Sequence, residues 1–173
     1  TPAGRHGRSL RAAFAPLERS GLADDQINAL KFDESGKLWI GTKTKGLSRF
    51  SNNSWKTYNE SNSKIPSGSI TTLETDTTNL LWIGTKDSGL VTYNGTSWDA
   101  YKKSDSSLPS LAVNCIRTAI DNSVWVGTDS GIGVFRKNRW IQYTQKNTGL
   151  PLNKIISIRH EDNGSTWIAT FSA

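Results

Sequence analysis

Cysteine is almost missing from this chain. Cys115 stands alone among 173 residues, which excludes an intrachain disulfide and a thiolate metal cluster. There is no methionine, and the two histidines, His6 and His160, are too few for a multi-histidine metal site. Prolines number five, and the charged fraction of 21% lies below the usual quarter, so the composition is not that of a disordered chain. No apolar run approaches the roughly 18 residues that a membrane-spanning helix requires, and the mean hydropathy is −0.51. The net charge of +6 is unevenly placed. Residues 1–19 hold four arginines against one glutamate, and the basic residues beyond them are scattered singly. Scattered cations do not form the basic patch that nucleic acid needs, so no nucleic-acid partner is expected. The leader also lacks the apolar segment of a signal peptide and reads as non-native sequence or as an outer strand.

What the chain has in excess is tryptophan, seven residues that fall into two interleaved series. Trp39, Trp82, Trp125 and Trp167 are spaced by 43, 43 and 42 residues; Trp55, Trp98 and Trp140 by 43 and 42. Two series at one period mean an internal repeat. The surrounding residues repeat with them. Leu38-Trp39-Ile40-Gly41-Thr42 returns as Leu81-Trp82-Ile83-Gly84-Thr85, as Val124-Trp125-Val126-Gly127-Thr128 and as Thr166-Trp167-Ile168-Ala169-Thr170. Trp55/Tyr58, Trp98/Tyr101 and Trp140/Tyr143 form a Trp-x-x-Tyr unit each time.

Within a unit the pattern predicts four short strands, the first unit giving Ile27 to Phe32, Leu38 to Thr42, Leu47 to Phe50 and Trp55 to Tyr58. Gly, Asn, Asp and Ser separate them, residues that tolerate a positive φ and mark hairpins. No helical apolar period is sustained anywhere. Four antiparallel strands every ~43 residues predict an all-β chain of β-propeller blades, about three and a half of them. The blades are expected at about 25–60, 68–103 and 111–146, with a partial one at 153–173. The repeated tryptophans are read as packing between blades.

The unit D-x-x-G-x-LWIGT-x-x-x-GL, followed by W-x-x-Y and a Leu-Pro linker, resembles the two-component regulator propeller repeat over roughly residues 20–173. The resemblance implies the extracytoplasmic sensor region of a bacterial hybrid two-component system, detecting oligosaccharides at the periplasmic or extracellular face of the cell. The last copy departs from the pattern, with Ala169 where Gly41, Gly84 and Gly127 stand. No kinase or DNA-binding segment accompanies the repeats. The chain is thus expected to be a piece of a larger sensor or a small propeller protein, and the open blade edges to self-associate, a dimer being one form.

Chemistry-bearing patterns are sparse. No nucleophile elbow or phosphate-binding loop occurs, and no catalytic residue, cofactor or metal is expected. His160-Glu161-Asp162 is the one place where a histidine adjoins carboxylates. The acidic residues read as the turn position also held by Asp33, Asp76 and Asp121. Streptogramin lyases resemble the chain in their related propeller repeats and use a histidine, acidic residues and magnesium, which leaves a propeller lyase as one alternative. A structural or protein-interaction propeller is another. The favoured reading is binding of an acidic or neutral oligosaccharide. Lys43, Lys45 and Lys86 in the hairpins after the LWIGT strand are candidate ligand residues, as are Arg49, Arg117, Arg136 and Arg159 on or beside strands, since a guanidinium fork suits carboxylate or sulfate groups.

Overall fold

A computed structural model describes residues 21–101 and 108–171. The basic leader at 1–19 and its proposed outer strand lie outside the described residues. Among the described residues there are fourteen strands and no helix. The first blade consists of β1 (Ile27–Phe32), β2 (Leu38–Thr42), β3 (Leu47–Ser51) and β4 (Ser54–Tyr58). The second consists of β5 (Ile70–Thr75), β6 (Leu81–Thr85), β7 (Leu90–Tyr93) and β8 (Trp98–Tyr101). The third holds β9 (Val113–Thr118), β10 (Val124–Thr128), β11 (Gly131–Arg136) and β12 (Arg139–Tyr143). The fourth contributes β13 (Ile155–His160) and β14 (Thr166–Thr170). Each sheet is an antiparallel meander in chain order. The first strands β1, β5, β9 and β13 lie side by side and link one sheet to the next.

The core is a series of three joins between successive sheets. In the first, Trp39, Leu47 and Tyr58 of one blade meet Ile70, Leu73, Ile83 and Tyr93 of the next, with Ile65 of the linker plugged between them. Trp82 and Leu90 meet Val113, Ile116 and Val126 in the second, around Leu108. Cys115, Ile132 and Val134 meet Ile155 and Ile158 in the third, with Leu150 against them. The Ile-Pro and Leu-Pro linkers therefore put one aliphatic residue into each join.

The LWIGT strand explains itself here. Its tryptophan faces the following blade, and its glycine lets that blade come close. A Cβ at Gly41 would lie 2.5 Å from Ile70 Cγ2, at Gly84 2.5 Å from Val113 Cγ1, and at Gly127 2.7 Å from Ile155 Cγ2. The threonine ends the strand by donating to the carbonyl across the hairpin, Thr42 to Gly46, Thr85 to Gly89 and Thr128 to Gly131. The second tryptophan series packs both within its blade and across the joins, Trp98 on Tyr58 and Trp140 on Trp82 and Tyr101 of the preceding blade. Trp55, Trp98 and Trp140 stand directly opposite Phe50, Tyr93 and Phe135 on the neighbouring strand, with ring centroids 4.9, 4.2 and 5.2 Å apart.

Two sets of polar groups fasten the joins. On the inner strands Asn28 Nδ2 donates to the Ile70 carbonyl, Thr71 Oγ1 to that of Val113 and Asn114 Nδ2 to that of Ile155. At the tip of the first turn, Asn79 and Asn122 adopt φ of 63° and 60° and accept from the amides of Glu34 and Thr77 in the preceding blade. Asparagine is among the few residues other than glycine that enter this region readily.

Candidate functional site

Each blade has two ends. The turns after β1, β5, β9 and β13 lie at one; the hairpins after β2, β6 and β10 and the linkers lie at the other. Backbone bonds set the register of the first kind of turn, because Asp33, Asp76, Ala119 and Glu161 each donate an amide to the carbonyl four residues on. Asp76 is therefore matched by Ala119, not by Asp121 as the sequence alone suggested. Asp33 and Asp76 turn inward, and their Oδ2 atoms accept the indole N–H of Trp39 and Trp82 at 2.9 and 3.0 Å. In the third blade Ser123 Oγ accepts from Trp125 at 3.0 Å and itself donates to Asp121 at 2.5 Å. Burial works against the Asp33 carboxylate, yet the Ser35 hydroxyl, the Trp39 indole and the Lys37 amide and ammonium together hold its pKa below the usual value. The Asp121 carboxyl is also held low, by the Ser123 hydroxyl and amide and then by Arg136.

One register position further on, Glu34, Thr77, Ile120 and Asp162 occupy the same place in successive blades. They ring a cavity of 410 Å³ whose lining also includes Glu74, Asp76, Thr118, His160 and Glu161. All four blades contribute to it. Ile120 stands 84% exposed at its rim. Glu74 is occupied by an ion pair with Lys31 of the preceding blade. The other carboxylates of the turn tips, Glu34, Glu161 and Asp162, are exposed. This mouth is a shallow, acidic and hydroxyl-bearing surface with one aliphatic contact. It can accept hydrogen bonds from a polyol and repels anions. Among the described residues no group of three or more His, Cys, Asp or Glu side chains is placed to hold a metal ion.

The cations expected from the sequence are spread over three places. Lys43, Lys45 and Lys86 are exposed at the hairpin end, and Lys45 borders a separate hollow of 330 Å³ with Asn59 and Glu60. Arg117 and Arg159 hold equivalent positions on the adjacent inner strands β9 and β13, both exposed. Arg49 and Arg136 lie on third strands. The Arg49 guanidinium sits 5.8 Å from the Trp39 ring, and Arg136 pairs with Asp121 at 3.0 Å. The mouth itself was missed from the sequence because its residues share no residue type; only the turn register aligns them. Cys115 is a buried thiol, and burial pushes its pKa up.

Meandering four-stranded sheets joined through their first strands define a β-propeller. At residues 21–44 the chain carries a repeat of the two component regulator propeller family. Similar solved structures include the extracellular domain of BT3049 from B. thetaiotaomicron, described as a hybrid two component system, with a TM-score of 0.77 and 20% identity over 88% of this chain and 21% of that one. The extracellular domain of BT4673 from the same organism, described as a one component system, aligns with a TM-score of 0.68, 20% identity and the same shares. Virginiamycin B lyase from Staphylococcus aureus aligns with a TM-score of 0.64 and 14% identity over 82% of this chain and 48% of the lyase. At such identities the likeness establishes the fold, and the chain spans about a fifth of the two extracellular domains. No curated protein matches the sequence. Among the described residues no helix is long and apolar enough to cross a membrane.

Proposed function

We propose that the chain is a non-enzymatic ligand-sensing propeller module on the extracytoplasmic side of a bacterial cell, and that it recognises a neutral oligosaccharide at the mouth formed by the first turns of its blades. The observation that carries this reading is the convergence of Glu34, Thr77, Ile120 and Asp162, one residue from each blade, around a single cavity. Their chemistry favours a neutral sugar over a carboxylated or sulfated one. Sugar hydroxyls donate to carboxylates in charge-assisted bonds, and Ile120 offers a nonpolar contact to the C–H face of a ring. The family repeat and the extracellular sensor domains of like fold support the sensor role.

Calorimetry with gluco-, manno- and xylo-hexasaccharides, beside a sulfated and a uronate oligosaccharide, tests this. Binding of at least one neutral sugar, weakened tenfold or more in Ile120→Asp, is expected. Binding of anionic sugars alone, or of none, overturns it.

A further inference from the structure

The third join, between β9–β12 and β13–β14, is built differently from the other two. At the end of the inner strand the second and third blades hold Thr75 and Thr118, and the Thr118 hydroxyl bonds across its join to the Thr75 carbonyl. The fourth blade holds His160 at that place. Its ring meets Trp125 of the preceding blade edge-on, with centroids 5.2 Å apart and planes at 69°. Nδ1 is paired with Thr166 Oγ1 at 2.9 Å, while Nε2 is buried with no hydrogen-bond partner. The fastening is lighter as well. Where Asn79 and Asn122 clasp the preceding blade, the fourth blade has Gly164, with φ of 87° and no side chain to reach the Ile120 amide.

We infer that the third join is a pH-sensitive hinge: it is closed while His160 is neutral and loosens when the imidazole takes up a proton. Burial of the ring is what disfavours an imidazolium, the charged groups around it acting in both directions. Arg117, on the facing strand β9, opposes the added charge, and Asp121 in the β9–β10 turn favours it. Asp121 is already engaged by Arg136 of β11 and by Ser123. Glu161 and Asp162 follow His160 in its own turn and project as exposed residues at the mouth. Trp125 of β10 and Thr166 of β14 are uncharged. In the neutral tautomer that donates its Nδ1–H to Thr166 Oγ1, the second proton goes to Nε2 and leaves a buried donor unsatisfied.

Burial, with Arg117 adding to it and Asp121 opposing, lowers the His160 pKa from 6.5. The sign follows. A folded-state pKa below the unfolded one means that the join keeps its full stability above pH 6.5. That stability is lost progressively as pH falls through the lowered value. The other two joins contain no histidine and stay unchanged over that range.

Amide hydrogen exchange of the full 173-residue chain, corrected for intrinsic rates, is to be followed at about pH 8 and pH 5.5. Protection of β13 and β14 is expected to fall several-fold on acidification, with β1–β8 unaffected, and His160→Thr, which restores the residue type of Thr75 and Thr118, is expected to abolish the difference. Equal loss in His160→Thr, or no loss in the unsubstituted chain, overturns the inference. A proton NMR titration of His160 in the unsubstituted chain gives an answer independent of the variant's folding: an apparent pKa at or above 6.5 contradicts the hinge.

Discussion

The aspartate that opens the repeat is the residue whose role the sequence hid most completely. In the primary structure Asp76 is a turn former six positions ahead of a tryptophan. Folded, its carboxylate closes its own turn through Thr78 and Leu80 and also receives the Trp82 indole inside the second join. Trp82 is 1% exposed, so its N–H has no water to fall back on. Replacing Asp76 by alanine is expected to lower the stability of the chain by about 1–3 kcal/mol, the cost of a buried donor left unpaired. Urea unfolding at an unchanged slope is the measure; a change below about 0.5 kcal/mol would mean that the indole finds another acceptor. The third blade shows how such a replacement is accommodated, since Ser123 takes over for Trp125 with Asp121 behind it. That substitution of two residues for one is why Asp121 looked like the equivalent of Asp76.

Among the elements, the strands were the most legible feature. The exact recurrence of LWIGT places β2 and β6 at their observed limits, β1, β5 and β9 also stand where the repeat put them, and β3 and β4 differ by a residue in reaching Ser51 and Ser54. The glycine of that strand was visible as a repeat but its purpose was not, because the Cβ it lacks would strike the first strand of the next blade, and at Gly84 and Gly127 also Thr72 and Cys115 of its own blade. Ala169 belongs to the same logic: among the described residues no strand packs on its face, and it stands exposed. The asparagine clasps were also silent, since Asn79 and Asn122 align with Gly36 and Gly164 and look like ordinary turn residues until their φ values and partners are known. Asn79→Gly keeps a backbone that the repeat already uses twice and removes only the clasp. It is expected to cost about 0.5–1.5 kcal/mol and to raise exchange of the Glu34 amide while leaving that of Thr77 unchanged. Equal exchange at both amides in the variant would show that the clasp does not act locally.

Taken whole, the molecule is a row of similar joins with different surfaces at its two ends. The tryptophans are largely consumed by that framework. Trp39 and Trp82 are enclosed by the following blade, Trp125 is half-buried, and Trp167, 63% exposed, faces outward from the last described sheet. Function is accordingly sought in the residues that differ between repeats. At the hairpin end these are lysines, which the sequence brought forward because charge is visible in a linear chain. At the turn end they are Glu34, Thr77, Ile120 and Asp162, which no composition or motif connects and which only the folded register collects.

Calorimetric titration of the best-binding neutral hexasaccharide into two variants compares the ends directly. One variant carries Thr77→Asp with Ile120→Asp at the mouth; the other carries Lys43→Ala, Lys45→Ala and Lys86→Ala at the hairpins. Recognition at the mouth predicts that the first loses at least tenfold in affinity, about 1.4 kcal/mol, while the second changes by less than about twofold. An affinity kept in the mouth variant and lost in the lysine variant would contradict it.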